Sequence, residues 1–530
     1  MVSDSAATHG RLLSVRQSLL AMLGLCFVVI LVGIDQTVVG TALPTIVAEL
    51  NGFSLYAWVG TSYLLTSVIT IPIFGRLGDY YGRKPFVVVA IVLFTAASVF
   101  CGLAGSMPQL VAARALQGIG GGMLVGTAFA CVPDLFPDTR VRLRWQVLFS
   151  SAYGVANVLG PSLGGILTQH AGWRSVFFIN LPIGLMGLWF VWRFLPRIRQ
   201  PQSGPVRLDW LGALLIALGL AALQLFVEFL PTRGLSRGML ELGALSLAAF
   251  AALFFWERRC SVPLLPPQLF RDRSLGVLFC LSVFMGFSMF VLLFYLPLLF
   301  QGGFGLSPQT AGLLITPLVV CITVGSIINS RVVARLPNSS HMLLTGLVMV
   351  AVTCAGMAFA DAGTRHGLVL SYMVLGGIGL GFVVPNLTVF AQEIAGRAHL
   401  GIATALLQSV RLIGGMLGMA IVGTMVSHRY VADVGAALLP HRGDSWVATL
   451  QDPEIVVNTV MQHDFMARLQ GLGLDGAAFI DMARGVLVSS VHAGLWVALA
   501  VVALAFLWVF RLPPVRLGAA RAAPAREHTS

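Results

Sequence analysis

Gly118-Ile119-Gly120-Gly121-Gly122 returns 259 positions later as Gly377-Ile378-Gly379-Leu380-Gly381. Working outward from that pair, Gly33, Leu43 and Pro44 recur as Gly286, Leu296 and Pro297, displaced by 253, and Gly160 and Gly164 recur as Gly414 and Gly418, displaced by 254. A single match between glycine-rich segments is weak, but three in the same order at nearly one offset mark an internal duplication. All of them lie in long apolar runs, and about 20 such residues are needed to cross about 30 Å of hydrocarbon. Spans are predicted at 19–43, 55–74, 86–105, 108–131, 145–168, 173–195, 208–229, 236–256, 275–300, 308–330, 342–360, 367–391, 401–427 and 486–510. Eight spans separate the first from the ninth, so the two copies cross in the same direction, as a parallel repeat about an axis along the membrane normal. The expected fold is an all-α polytopic membrane protein of fourteen spans: a cytoplasmic tail at 1–18, a six-helix bundle at 19–195, an inserted helix pair at 196–257, a second six-helix bundle at 258–510 with a long outer loop at 428–485, and a tail at 511–530.

Composition agrees with that class and excludes others. Of 530 residues, 57% are hydrophobic and 10% charged, against about 25% charged in soluble proteins. Seven cysteines form no CxxC pair and ten histidines no HExxH spacing, so neither a metal site nor a disulfide framework has a basis. Lys84 is the single lysine and precedes proline, so no phosphate-binding Gly-Lys-Ser/Thr sequence exists, and any work must draw on a source other than ATP bound by this chain. The net charge of +12 is spread over short clusters, which argues against nucleic acid as a partner. Arginine and lysine favour cytoplasmic loops. With both termini cytoplasmic, 23 of the 33 basic residues fall on that side and 8 on the other, leaving Arg114 and Arg411 inside spans. The first apolar run follows Arg11 and Arg16, but it continues for about 25 residues without a small-residue cleavage site, so it reads as a retained span.

Between spans 2 and 3, Gly75-Arg-Leu-Gly-Asp-Tyr-Tyr-Gly-Arg-Lys84 resembles the G-x-L-x-D-x-x-G-R-K signature loop of the major facilitator superfamily. Arg114-Ala-Leu-Gln117-Gly118 in span 4, the run from Gly154 through Gly160-Pro161 to Gly164-Gly165 in span 5, and Asp35 to Pro44 in span 1 resemble three further motifs. Together with fourteen spans they are similar to the drug:proton antiporter subfamily of EmrB-like and QacA-like multidrug exporters. Gly40 departs from the pattern, since many relatives carry asparagine there. The resemblance implies a non-enzymatic, proton-coupled antiporter of the cytoplasmic (inner) cell membrane, exporting amphipathic, often cationic, drugs by alternating access, with the proton gradient in place of a cofactor. Its partners would be the small-molecule substrate, protons, membrane lipid and a periplasmic adaptor. Alternatives within the class are a dedicated exporter of one antibiotic or siderophore, and an uptake symporter. A membrane enzyme would need clustered acids or histidines, and Asp433, His441, Asp444, Asp452, His463 and Asp464 have the scatter of a solvated loop.

Asp35 carries the most weight, because ionised side chains inside hydrocarbon are expensive and usually functional. Burial penalises the charged form of a carboxylate, which suits an acid to proton exchange. The matching position in the second half is Ser288, so proton handling is expected in the first bundle alone. Arg114 keeps its charge and needs a partner, and the resemblance assigns it to proton coupling with Asp35. Gln117, Asn157 and Arg411 are candidates for the substrate cavity. Gly154, Gly160, Pro161, Gly164 and Gly165 permit close helix contact and a kink, and in relatives this pattern goes with export. Gly75, Asp79, Gly82, Arg83 and Lys84 are expected in a tight turn that, in relatives, latches the bundles on the cytoplasmic side. In the outer loop, Ile455, Val456, Val457, Val460, Met461, Phe465, Met466 and Leu469 have roughly helical spacing, fitting a lid or interfacial helix more readily than an adaptor-docking site.

Overall fold

The computed structural model describes residues 15–136, 139–196, 209–234, 236–260, 263, 272–333, 340–438 and 446–512. Among them the regular structure is entirely helical. The first bundle comprises α1 (Val15–Leu50), α2 (Tyr56–Tyr81), α3 (Arg83–Leu103), α4 (Met107–Leu135), α5 (Thr139–Ala171) and a broken sixth span of α6 (Arg174–Phe178) and α7 (Asn180–Phe194). The inserted pair is α8 (Trp210–Arg233) and α9 (Arg237–Glu257). The second bundle comprises α10 (Arg273–Leu298), α11 (Pro308–Val332), α12 (Ser340–Ala358), α13 (His366–Ala437) and, after two short helices, α14 (Val447–Gln451) and α15 (Thr459–Gly471), the last span α16 (Gly476–Val509). The bundle face on which α1 begins is called proximal, the opposite one distal.

Each of the fourteen predicted spans coincides with helix. Twelve stretches of the described residues are long and apolar enough to cross a membrane; α4 and α5, helices of 29 and 33 residues, occupy the other two predicted positions. Helices overrun their apolar cores. With 36 residues α1 extends about 54 Å at 1.5 Å per residue and stops only where Asn51 takes φ 53°, a left-handed conformation asparagine tolerates. Aspartates start three later helices: Asp209 accepts from the backbone N–H of Gly212, Asp272 from those of Ser274 and Leu275, and Asp475 from those of Ala477 and Ala478, satisfying donors that a helix start leaves open.

Spans 12 and 13 follow one another within a single helical run of 72 residues, α13, that bends back on itself. It doubles back, because Gln392 Nε2 donates to Thr404 Oγ1 at 2.9 Å, whereas a straight helix would hold those residues about 18 Å apart. The loop expected at 428–485 is also shorter and more ordered than its sequence indicated. Helix α13 runs to Ala437 and α16 begins at Gly476, so the membrane-flanking helices consume both ends. Between them Pro453–Val456 forms a 3₁₀ turn and Thr459–Gly471 is α15. Ile455, Val456, Phe465 and Leu469 are buried, while Val460 faces outward. His441 and Asp444 lie outside the described residues.

The duplication reappears as packing. Gly118 and Gly122 of α4 lie against the carbonyls of Tyr63 and Ser67 on α2, and Gly377 and Gly381 of α13 against those of Leu318 and Ile322 on α11. Each α2 carbonyl is thus repeated 255 positions later. Likewise Gly164 abuts Val38 of α1, and Gly418 abuts Phe287 of α10. Small residues let backbones approach where lipid supplies no hydrophobic drive between helices.

The bundles meet in the distal half. Gln301, within a π-helical turn at Leu299–Gly303, donates to the Thr41 carbonyl (2.7 Å) and accepts from the Thr45 hydroxyl (3.3 Å). The Tyr56 hydroxyl donates to the Phe294 carbonyl at 2.7 Å, Ser162 pairs with Thr316, and the Gln309 N–H donates to Gln169 at 3.2 Å. Above them Asn458 donates to the Ala48 carbonyl at 2.6 Å, strapping the distal loop to the end of α1. Gly40 faces the Leu293 carbonyl across this seam, where an added Cβ would lie 2.9 Å from the oxygen; the asparagine that the family resemblance leads one to expect there therefore has no room in this arrangement.

Candidate functional site

Halfway along α1, the Asp35 side chain is 1% exposed and turned into the first bundle. Three donors reach it from two helices. Arg114 Nη1 donates to Oδ2 at 2.7 Å, Gln117 Nε2 to Oδ1 at 2.7 Å, and Asn180 Nδ2 to Oδ1 at 3.0 Å. Arg114 and Gln117 are three residues apart on α4, hence on one helix face, and Asn180 opens α7.

Arg114 is also buried, and it holds more than one partner. Its Nε donates to the Val59 carbonyl at 3.2 Å, its Nη1 also donates to Gln117 Oε1 at 2.7 Å, and its guanidinium carbon stands 4.5 Å from the centre of the Tyr63 ring. A carbonyl, an amide oxygen and an aromatic face can each accommodate a cation. The arginine therefore retains partners if Asp35 loses its charge, a property that one-to-one pairing would lack. Behind these groups Cys101 Sγ lies 3.5 Å from Gln117 Oε1, and Ser98 Oγ accepts from Asn180 Nδ2 at 2.9 Å while donating to the Phe177 carbonyl at 2.9 Å. Asp35, Arg114, Gln117, Asn180 and Ser98 thus make one hydrogen-bonded cluster linking α1, α3, α4 and α7.

The structure brings Asp35, Arg114 and Gln117 together. Gln117 is fully buried in the shell of the acid, rather than lining the open cavity expected of it. Asn180 was not anticipated; the sequence shows only one polar residue two positions before Pro182 in an apolar run, which resembles a span end. Asn157 and Arg411 are half-buried on α5 and α13, and neither is among the partners of Asp35. On α1, Asp35 and Gly40 are five residues apart, roughly 140° around the helix, so the acid points away from the inter-bundle seam that Gly40 faces. Asp35 and its three donors are thus enclosed within the first bundle.

The span 5 residues divide between two faces of α5. Gly160 and Gly164 abut Thr37, Val38 and Thr41 of α1, whereas Gly165 abuts Pro308 and Gln309 of α11, and the Pro161 carbonyl faces Gly312 of α11. Gly154 comes against Thr323 of α11 at a prospective Cβ distance of 3.4 Å. One face of α5 serves its own bundle and another serves the partner bundle.

The expected Gly75–Lys84 turn is a one-residue joint. Helix α2 continues to Tyr81 and α3 starts at Arg83, with Gly82 between them at φ 86°, a conformation that glycine adopts freely. Gly75 and Gly78 are helical; Gly75 faces the Gly126 backbone, and Gly78 faces Thr127 and Arg83. Lys84 Nζ donates to the Trp192 carbonyl at 2.7 Å near the end of α7, fastening the joint within its own bundle. Arg83 opens α3, and the Asp79 side chain lies outside the described residues.

Outside the spans, Glu454 in the distal 3₁₀ turn is 3% exposed. Burial and the neighbouring Asp452 push its carboxyl up to about 7, against the pull of Asn458. Among the described residues no group of three or more His, Cys, Asp and Glu side chains could hold a metal.

Known proteins share both sequence and fold with this chain. The profile of the Major Facilitator Superfamily matches residues 25–419. The multidrug transporter protein MdtP of Bacillus subtilis is 30% identical over 525 residues, covering 96% of this chain and 95% of its own. The tetracenomycin C resistance and export protein of Streptomyces glaucescens is 31% identical, with 80% and 79% covered, and the methylenomycin A resistance protein of Streptomyces coelicolor 30% identical, with 76% and 85% covered. Among solved structures, a bacterial homologue of the human lysosomal transporter Spinster, in an inward-facing and occupied conformation, aligns with TM-score 0.65 at 17% identity, covering 93% of this chain and 96% of that one. With its repeated bundles, its glycine-matched packing and these relatives, the chain belongs to the major facilitator superfamily of membrane transporters.

Proposed function

We propose that this protein is a proton-coupled antiporter that exports amphipathic, often cationic, compounds across the cytoplasmic membrane, with both termini on the cytoplasmic side. The observation that carries the reading is the Asp35 cluster: a carboxylate at mid-span, shielded from solvent, paired with an arginine that has other partners. Protonation neutralises Asp35 and releases one bond of Arg114, which remains held by Val59, Gln117 and Tyr63. That change alters the contact between α1 and α4 and biases the bundle between two arrangements. Substrate acts at the seam between bundles, so proton and substrate compete through conformation. The distal seal of Gln301, Tyr56 and Asn458 belongs to the arrangement open toward the cytoplasm. Protons entering from outside drive the cycle, and lipid surrounds the spans. An adaptor protein would meet the distal loop around α15.

Dye efflux from proteoliposomes under an imposed pH gradient tests this. Native protein is expected to move dye, and Asp35→Asn to lose gradient-driven movement while still binding the dye. Equal efflux by the variant would overturn the assignment of Asp35. A dedicated exporter of one metabolite is the second reading, favoured by two relatives named for single antibiotics. It predicts that the native protein moves no dye yet carries one such compound.

A further inference from the structure

Asn180 is wholly buried, and its amide is used on one side only. Both hydrogens on Nδ2 are engaged, one by Asp35 Oδ1 and one by Ser98 Oγ. Its carbonyl oxygen, Oδ1, is buried without a partner among the described residues. Leaving a buried acceptor unpaired costs about 1–3 kcal/mol, and such an atom calls for an explanation.

The chemistry of a protonated Asp35 supplies one. In the charged state Oδ1 accepts two N–H groups, from Gln117 and Asn180. A proton placed on Oδ1 makes it a donor, and one of those N–H groups must give way to an acceptor. The titratable or charged groups around the acid are Arg114 from α4, Tyr63 of α2 over the guanidinium, and Cys101 from α3 beside Gln117. Arg114 offers only donors. The oxygen of Gln117 is already occupied by Arg114, whereas the oxygen of Asn180 is unoccupied. A half-turn of the Asn180 amide would present Oδ1 to the new Asp35 O–H and carry Nδ2 into the place Oδ1 now holds, and the Ser98 hydroxyl, which now donates to the Phe177 carbonyl, would turn to donate to the second lone pair of Oδ1.

We propose that Asn180 is a positioning residue of the proton site, an amide that reverses when Asp35 gains or loses its proton, with Ser98 as its pivot. The inference rests on the reading of Asp35 as the proton-binding acid. It extends the site from α1 and α4 to α3 and to the break between α6 and α7, so each protonation event reaches the sixth span.

The test is the pH profile of gradient-driven dye efflux by the full chain in proteoliposomes, joined to infrared difference spectra of the protonated carboxyl between low and high pH. Asn180→Leu removes both the donor to the carboxylate and the acceptor of the protonated acid, so the carboxyl C=O band should shift, while the pH midpoint should move toward alkaline values by less than the roughly one unit, a tenfold change, that loss of a one-way donor would give. Ser98→Ala leaves the donor but frees its pivot, and should move the midpoint the same way by about half a unit. Midpoint and band unchanged in a folded Asn180→Leu, with only the efflux rate reduced, would make Asn180 structural and overturn the proposal. If that variant does not fold, Ser98→Ala decides by the same two readouts. Asp35→Asn separates the layers: pH dependence lost there but unmoved in the other two variants sinks this inference alone, while pH dependence retained there sinks it together with the reading of Asp35.

Discussion

The two bundles share one helix-packing scheme, and only one carries the charge cluster. By the repeat offsets, Asp35 corresponds to Ser288, Arg114 to Met373, Gln117 to Gly376 and Ser98 to Thr353. Ser288 Oγ donates to the carbonyl of Phe284 one turn back on its own helix, and Met373 is an apolar buried residue. Gly376 packs on Thr353, whose hydroxyl is spent on the Met349 and Tyr372 carbonyls. The glycines that bring the helices together are kept in both halves, because without them the backbones could not approach. The polar cluster sits in one half, so it is not a requirement of the fold. Burying an ion pair there carries a desolvation cost that the second half, on the same scaffold, does not bear at the matching positions.

The comparison breaks most sharply if the cluster is dismantled. Arg114→Met strands a buried carboxylate, and removing one partner of a buried pair costs about 3–5 kcal/mol. The variant should lose most folded yield in detergent, and Asp35→Asn combined with Arg114→Met should recover much of the melting temperature while transport stays absent. Equal melting temperatures for the single and double variants would show that the pair is not coupled. The shared scaffold predicts symmetry instead: Gly164→Leu and Gly418→Leu should each lower the thermal midpoint, by amounts matching within about 1 kcal/mol, since both glycines face the first helix of their own bundle. A large disparity in the measured midpoints would mean that the repeats do not pack alike.

Smaller effects sharpen the picture at the distal strap. The carboxyl of Glu454 titrates near 7 when folded, against an ordinary value of 4.5. The folded state therefore holds more protons than the unfolded one between those values, and stability falls as pH rises through that window, then levels off. Glu454→Gln should flatten this slope, by an amount on the order of 1–3 kcal/mol, when thermal midpoints are followed from pH 4.5 to 7.5. A slope unchanged in the variant would remove Glu454 as its source. The least change is expected at Ser288→Ala in the second bundle. Its hydroxyl bond within one helix contributes about 1 kcal/mol or less, and efflux should stay within about twofold of native.

The all-helical polytopic fold, the duplication and the grouping of Asp35, Arg114 and Gln117 could be read from the chain, because charged or strongly polar residues stand out against hydrocarbon-length apolar runs. Span ends could not. Hydropathy fades at the membrane surface while backbone hydrogen bonding continues, so α1 outruns 19–43, α2 absorbs most of the Gly75–Lys84 turn, and α13 and α16 shorten the distal loop. Asn180 escaped notice for a related reason: near a proline, one asparagine signals a boundary as readily as a ligand to an acid on another helix. The direction in which Asp35 points also needed the structure, since it depends on which faces of α1 the glycines of α5 and the seam with α10 already occupy.

The doubled-back helix α13 bears on how force travels. Its two limbs are clasped across the bend by the hydrogen bond from Gln392 to Thr404. One limb carries Gly377, and the other carries Gly423, which lies against Ala57 of the first bundle. A shift of either limb of the second bundle would therefore be felt at the contact between Gly423 and Ala57 in the other half of the protein.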